Sequence, residues 1–424
     1  MYHTIPTYVL MMTVGIYWLL PPSVLLANPP DTTETIMELG PLLQEAIQHN
    51  PEIAATQEQV HVLKERIPQA RSLEDPEVKV QLWNTPESLN VTKTATTIYG
   101  LAQRFPVPGL LSQKEEVAVR ETDQAEYRLA AKIQEITSSV TTAYYELFYA
   151  HSALAIHHEQ VNLLRQFFAI ANAKFKVGKG TQVNVLRAQV ELSKLFQHLP
   201  ILKQRRETAQ AHLNTLLNRD PLDPLGIPRT PPPHSMPYSL ETLLDKALRV
   251  RPELQEADMA VAQFQSATKL ARLRYFPQLR VEFQRWQNYS ANDGFGGNVT
   301  LNIPFSFWTK GKYDAGVREA AAQVAVAQAR KRTLENLTRF QVKDLVAQIQ
   351  ATQQVVTLYT TTVLPQAKQT LKAAHAGYRT DRIDFLDLID AERALISYQL
   401  DHVRALVDRE HQIAQLQRTV GQAL

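Results

Sequence analysis

The chain has 424 residues, 44% of them hydrophobic and 21% charged, which is the composition of a folded protein and excludes a disordered polymer. Its 45 basic and 42 acidic residues nearly cancel, so the electrostatic footprint of a nucleic-acid-binding protein is absent. With no cysteine there are no disulfides, no thiolate metal site, no thiol catalysis and no acceptor for a bacterial lipid anchor.

The apolar run Tyr8–Leu20, followed by Pro21-Pro22 and Val24-Leu25-Leu26-Ala27, predicts a signal peptide over 1–27. Its start carries no Lys or Arg, and Leu25 is bulky for the position it would occupy before a cleavage site, so a retained anchor stays open. No later stretch approaches 18 consecutive apolar residues, the run that a further membrane helix needs.

Helical periodicity follows over about 33–73, then alternation over 77–105, then a helical tract over about 110–217. Seven prolines from Pro221 to Pro237 make 218–238 an extended linker. The order then repeats, with a helix over about 240–274, alternation over 278–304 and helix from about 311 to the end. Pro200 and Pro365 fall inside the long tracts and are expected to kink or break them. The 110–176 stretch holds no proline, and an unbroken helix there would run about 100 Å. In the last tract Ile396, Leu400, Val403 and Val407 alternate four and three apart, which fits a coiled-coil seam or a core-facing stripe.

The chain is built twice. Leu42-Leu43-Gln44-Glu45-Ala46-Ile47 with Asn50-Pro51-Glu52-Ile53 returns as Leu243-Leu244-Asp245-Lys246-Ala247-Leu248 with Arg251-Pro252-Glu253-Leu254, and 42–82 matches 243–283 without a gap at an offset of 201. This divides the chain into a first repeat over 28–217 and a second over 239–424.

Within the alternating segments Val78, Val80 and Leu82 oppose Lys79, Gln81 and Trp83; Leu279, Val281 and Phe283 oppose Arg280, Glu282 and Gln284; Val299, Leu301 and Ile303 oppose Asn298, Thr300 and Asn302. With Thr97, Tyr99 and Leu101 they predict four strands, apolar on one face and polar on the other. Two homes fit: a soluble sheet packed on helices, or strands tilted across a bilayer. In lipid, other chains must close the two open edges.

Enzymatic motifs fail on inspection. His158-Glu159 begins like a zinc-protease helix but Asn162 stands where the second His is required, and Gly294-Phe295-Gly296-Gly297 lacks the Lys-Ser/Thr of a phosphate loop and reads as a hairpin connection. No metal or cofactor set is recognisable. Phe305, Phe307 and Trp308 suit an aromatic belt or ordinary packing.

Gln103-Arg104-Phe105-Pro106-Val107-Pro108-Gly109 in the first half, and Leu301-Asn302-Ile303-Pro304-Phe305 with Gly311 in the second, resemble the strand-to-helix corners of the TolC family of outer-membrane efflux proteins. The stretch from Phe175 to Gln189 pairs without gaps with Tyr378 to Glu392, and both are similar to that family's periplasmic hairpin turns, at 177–181 and 379–383. The resemblance implies a mainly α, TolC-like fold with long coiled-coil hairpins forming an α-barrel. Four β-strands from each of three protomers would complete a 12-stranded transmembrane barrel. It also implies an outer-membrane location reaching into the periplasm, and partnership with a periplasmic adaptor and an inner-membrane pump. Val78, Val80, Leu82, Leu279, Val281, Phe283, Val299, Leu301 and Ile303 would then face lipid. Asp387 and Asp390 take the positions of the family's paired constriction aspartates, gathered into an acidic ring by threefold symmetry. Tyr378 and Arg382 match positions that hold the turns closed, with Asn184 as first-half partner where the family's prototype has an aspartate. Val177, Gly178, Lys179 and Gly180, with Thr380, Asp381 and Ile383, are implied to meet the adaptor. Asp381 replaces the glycine usual in the second turn. Passive conduction of pumped substrates follows as the expected function; a type I polypeptide-secretion duct and a periplasmic coiled-coil adaptor or scaffold are the alternatives.

Overall fold

The computed structural model describes residues 36–85, 95–232, 238–288, 292–304 and 306–423, so the predicted signal peptide, Phe305, part of the linker and the tips of both strand hairpins lie outside the described residues. In the first half the elements are β1 (Ile36–Met37), α1 (Leu39–His49), α2 (Pro51–Arg71), β2 (Glu77–Trp83), β3 (Thr96–Phe105), α3 (Leu110–Lys176) and α4 (Gln182–Leu216). The linker contributes β4 (Ile227–Pro228). The second half has α5 (Leu240–Val250), α6 (Pro252–Leu273), β5 (Leu279–Asn288), β6 (Gly294–Leu301), α7 (Lys310–Leu358), a π-helical turn over Tyr359–Val363, α8 (Leu364–Arg379) and α9 (Phe385–Val420).

The single helix expected over 33–73 is two. Asn50 is extended and its side chain accepts the Glu52 amide proton at 2.9 Å, while Pro51 takes the first helical position, where no donor is needed. The second half breaks in the same way, since Arg251 precedes Pro252 and a residue before proline avoids the helical region. Pro200 does not interrupt α4. It lies on the exposed side of the helix, where water reaches the carbonyl its ring leaves unbonded. Pro365 does interrupt, and the backbone widens into the π turn immediately before it.

All strand pairs in the main sheet are antiparallel, in the order β2-β3-β5-β6, so the β3–β5 seam from Thr96↔Asn288 to Phe105↔Leu279 joins the two halves and leaves β2 and β6 as edges. The register puts Val78, Leu101, Phe283 and Gly297 in one row and Val281 and Val299 in a neighbouring one, gathering the apolar residues of all four strands on one face. Leu82, Val80 and Val78 are exposed there at 43, 60 and 81%. Ile303 is the exception to the expected strand set: β6 ends at Leu301, and Pro304 offers no N–H to prolong the ladder.

On the opposite face the charges interlock. Lys79 pairs with Glu282 at 3.6 Å, Arg280 with Glu77 at 2.7 Å, and Arg104 with Glu77 at 3.2 Å and Glu74 at 3.5 Å. Glu282 is only 3% exposed because it lies across Gly100, where a Cβ would come within 2.9 Å of its carboxylate. Gly294 to Gly297 form the first half of β6 and not the expected hairpin connection. The ring of Trp286 covers Gly296 so closely that a Cβ would fall 2.7 Å from it, which requires glycine there. Phe307 and Trp308 are 88 and 73% exposed and stack edge to face on each other.

The three largest cores among the described residues run along the helices. Leu42 and Ala46 of α1 pack on Val140, Tyr144 and Leu147 of α3 with Leu213 of α4; Leu243 and Ala247 of α5 pack on Val342 and Ile349 of α7 with Leu416 of α9. The duplication is thus repeated in packing as well as in sequence. Between these cores sits a buried ion pair: Arg409, 2% exposed, donates to Glu410 at 2.7 Å, to Gln353 at 3.1 Å and to the Pro232 carbonyl at 2.8 Å. It ties α9 to α7 and to the linker. The third core is the hairpin core described next.

Candidate functional site

Beyond the middle of the molecule α3, α4, α8 and α9 pack around Leu164, Phe167, Ala188, Leu371, Phe385 and Leu388. The two hairpin turns therefore end side by side. The first closes because Gly178 adopts φ +69 and donates to the Phe175 carbonyl at 3.0 Å; at Gly180 a Cβ would crowd the Phe175 backbone nitrogen at 3.2 Å. Thr181 then caps α4. In the second turn Asp381 takes the left-handed conformation, at φ +61, and Asp384 caps α9. Val177, Gly178, Lys179, Thr380 and Asp381 are exposed, Gly180 and Ile383 half-buried, the latter packed against Gly377.

Tyr378 is buried, 4% exposed. Burial, then the charges of Asp384 and Asp381, pushes its hydroxyl pKa up, while nearby Asn184 pulls it down without reaching full hydrogen-bond geometry. Arg382 is exposed and its guanidinium has no ion pair among the described residues of this protomer. The tie between the turns is made by another pair. Lys174, near the end of α3, donates to the Asp381 carboxylate and to the Tyr378 carbonyl and lies 4.4 Å from the centre of the Tyr378 ring. The Lys174 hydrogen bond holds the Asp381 carboxyl below the usual carboxylate range. Sequence reasoning missed Lys174; the available signal was the aspartate at Asp381, an acid placed where a turn prefers glycine.

Asp387 and Asp390 share one exposed face of α9, but differ in their partners. Arg393 reaches Asp390 at 3.3 Å and bonds Glu191 of α4 at 2.5 Å, and Lys194 meets Glu191 at 2.8 Å. Burial pushes the Glu191 pKa up, but the Arg393 and Lys194 hydrogen bonds outweigh it and hold the carboxyl low. Asp387 is the less compensated of the two.

Among the described residues no group of three or more His, Cys, Asp or Glu is arranged to hold a metal ion, and no helix is long and apolar enough to cross a membrane. His158 and Glu159 are simply exposed on α3.

Comparison with known proteins decides the family: the model for outer membrane efflux proteins matches residues 42–219 and again 243–422. The chain belongs to the outer membrane efflux protein family. This outer membrane efflux protein is 22% identical over 399 residues to the cobalt-zinc-cadmium resistance protein CzcC of Cupriavidus metallidurans, covering 90% of each chain. In fold it matches the outer-membrane channel OprN with a TM-score of 0.76 at 18% identity, over 91% of this chain and 90% of that one. It matches the outer membrane protein VceC of Vibrio cholerae with a TM-score of 0.75 at 17% identity, over 91% of this chain and 96% of that one. Its fold is TolC-like, its place is the outer membrane and its task is efflux.

Proposed function

We propose that three copies of this chain assemble into one duct, a 12-stranded barrel continued by a tube of helical hairpins, that passively conducts substrates handed over by an inner-membrane pump and its periplasmic adaptor. The observation that carries this reading is the sheet itself. Its four strands have an exposed apolar face, a polar face with paired charges, and two unpaired edges, β2 and β6. A lone sheet of this kind is unstable in lipid, and closure by further copies satisfies both edges. The helices support the same assembly. Val183, Leu186 and Val190 of α4 recur at helical spacing and are 54, 51 and 53% exposed, an apolar stripe without cover in one protomer. The apolar strand residues then meet lipid and Trp308 sits with Phe307 at the membrane interface.

Within this duct the paired turns form the periplasmic gate. Val177, Gly178, Lys179 and Gly180 with Thr380, Asp381 and Ile383 offer the adaptor its contact, and Asp387 with Asp390 lines the constriction, favouring cationic cargo. The two repeats flanking the 218–238 linker each supply one strand pair and one hairpin. Heat-modifiable trimers in detergent extracts of outer membranes, with step conductances in planar bilayers, are the expected result. Recovery of the protein in the soluble fraction after osmotic shock refutes the duct.

A further inference from the structure

One acidic side chain near the gate points the wrong way. Glu392 lies on α9, five residues beyond Asp387, yet it is 2% exposed and its Oε1 has no hydrogen-bond partner. Its neighbours Leu388, Ile389 and Leu395 are core residues, so the helix turns this carboxyl inward with them. A cleft of about 640 Å³ between α3, α4 and α9 is lined by Glu392. His157 faces it from α3; Glu191, Lys194 and His198 face it from α4; Arg393 faces it from α9 itself. Tyr149 and Arg205 line it farther from the turns. Lys368, Lys372 and His375 of α8 line a separate cleft.

Two of the cations among these groups are already engaged. Arg393 and Lys194 are held by Glu191, and Arg393 also by Asp390, which leaves Glu392 the poorer competitor for either. Burying an uncompensated carboxylate costs more than burying the neutral acid. Burial first, then the Glu191 charge, pushes the Glu392 pKa up to about 7, against the opposing pull of Arg393. Burial pulls the His157 pKa down, which disfavours a counter-charge there.

We propose that Glu392 is a proton-operated tie of the gate: as a neutral acid it lets α9 pack against α3 and α4, and as a carboxylate it loosens that packing, competes for Arg393 and eases opening. This rests on the duct reading above. The sign follows from linkage. Below the ordinary glutamate pKa near 4.5 the acid is neutral whether packed or solvated, so the packed arrangement bears no penalty. As pH rises from there through about 7 the packed state must hold a proton that the loosened state has released, so packing weakens and stays weak above. The difference between those two pKa values, about 2.5, bounds the change in the closed-to-open ratio at about 300-fold per protomer.

The test uses the full-length trimer in planar bilayers between pH 5 and pH 8.5, beside Glu392→Gln, which fixes the neutral shape. The wild type is expected to show rising open probability with pH, and Glu392→Gln to keep its low-pH value throughout, with unchanged trimer migration. His157→Gln is expected to retain the pH step. A pH step that survives in Glu392→Gln, or one abolished by His157→Gln alone, overturns the inference while leaving the duct intact. A protein with no conductance at any pH overturns both. Should Glu392→Gln fail to assemble, hydrogen exchange of α9 in the wild type decides: protection must fall as pH rises through 7 after correction for intrinsic rates, and flat protection refutes the tie.

Discussion

Replacing Arg409 by methionine removes a cation from a nearly dry site. Glu410 beside it is 3% exposed, and two of the guanidinium nitrogens bond its Oε1 at 2.7 and 3.0 Å. The substitution takes the Arg409 charge away from that buried carboxylate, which the Tyr145 hydroxyl still faces. It also strips a donor from the Gln353 side chain and from the Pro232 carbonyl. Breaking one partner out of a buried ion pair costs about 3–5 kcal/mol. The contacts Glu410 keeps, that with Tyr145 among them, place this case toward the lower end, about 3 kcal/mol. Removing both charges, as Arg409→Met with Glu410→Leu, is expected to recover all but about 1 kcal/mol, because the desolvation penalty disappears with the carboxylate. Urea unfolding of the detergent-solubilised protein, followed by circular dichroism, measures both. A single variant within about 1 kcal/mol of wild type, or a double variant no better than the single, refutes the reasoning.

Further predictions concern the gate and the barrel. Asp387→Ala is expected to reduce cation preference in reversal-potential measurements more than Asp390→Ala does, because Arg393 already compensates Asp390; equal effects remove that distinction. Lys174→Met unties the two turns and is expected to raise the resting conductance, whereas Arg382→Ala has the smaller effect. The reverse order would return the latch to Arg382, acting between protomers. Val80→Arg, on the apolar face of β2, is expected to cost about 2–4 kcal/mol of insertion and to lower the amount of trimer in the outer membrane; normal assembly contradicts a lipid-facing Val80.

The strands were legible in the sequence because a period of two needs only local information: Val78, Val80 and Leu82 sort themselves before any partner is known. The helix breaks at Asn50-Pro51 and Arg251-Pro252 were equally visible as residue pairs, but periodicity on either side masked them. Pro200 could not be judged from the chain, since its cost depends on whether the carbonyl it orphans meets water or core. The end of β6 before Ile303 depends on Pro304 within a ladder whose register no single segment determines. Lys174 and Asp381 stand 207 positions apart and meet only because two hairpins lie side by side. Glu392 looks like any surface acid in an acid-rich segment, and only the packing of α9 against both α3 and α4 reveals its burial.

The interlocked charges on the polar face of the sheet carry a consequence for ion flow. Glu74, Glu77 and Glu282 are answered one for one by Lys79, Arg104 and Arg280, with the side chains paired across strands rather than free. In the proposed duct this stretch would impose almost no Donnan potential and would admit anions and cations alike. Charge discrimination then behaves as a series resistance concentrated at the far end. Widening or recharging the outer-membrane stretch is then expected to alter how much current passes, with the choice of ions left to the proposed gate at the periplasmic turns.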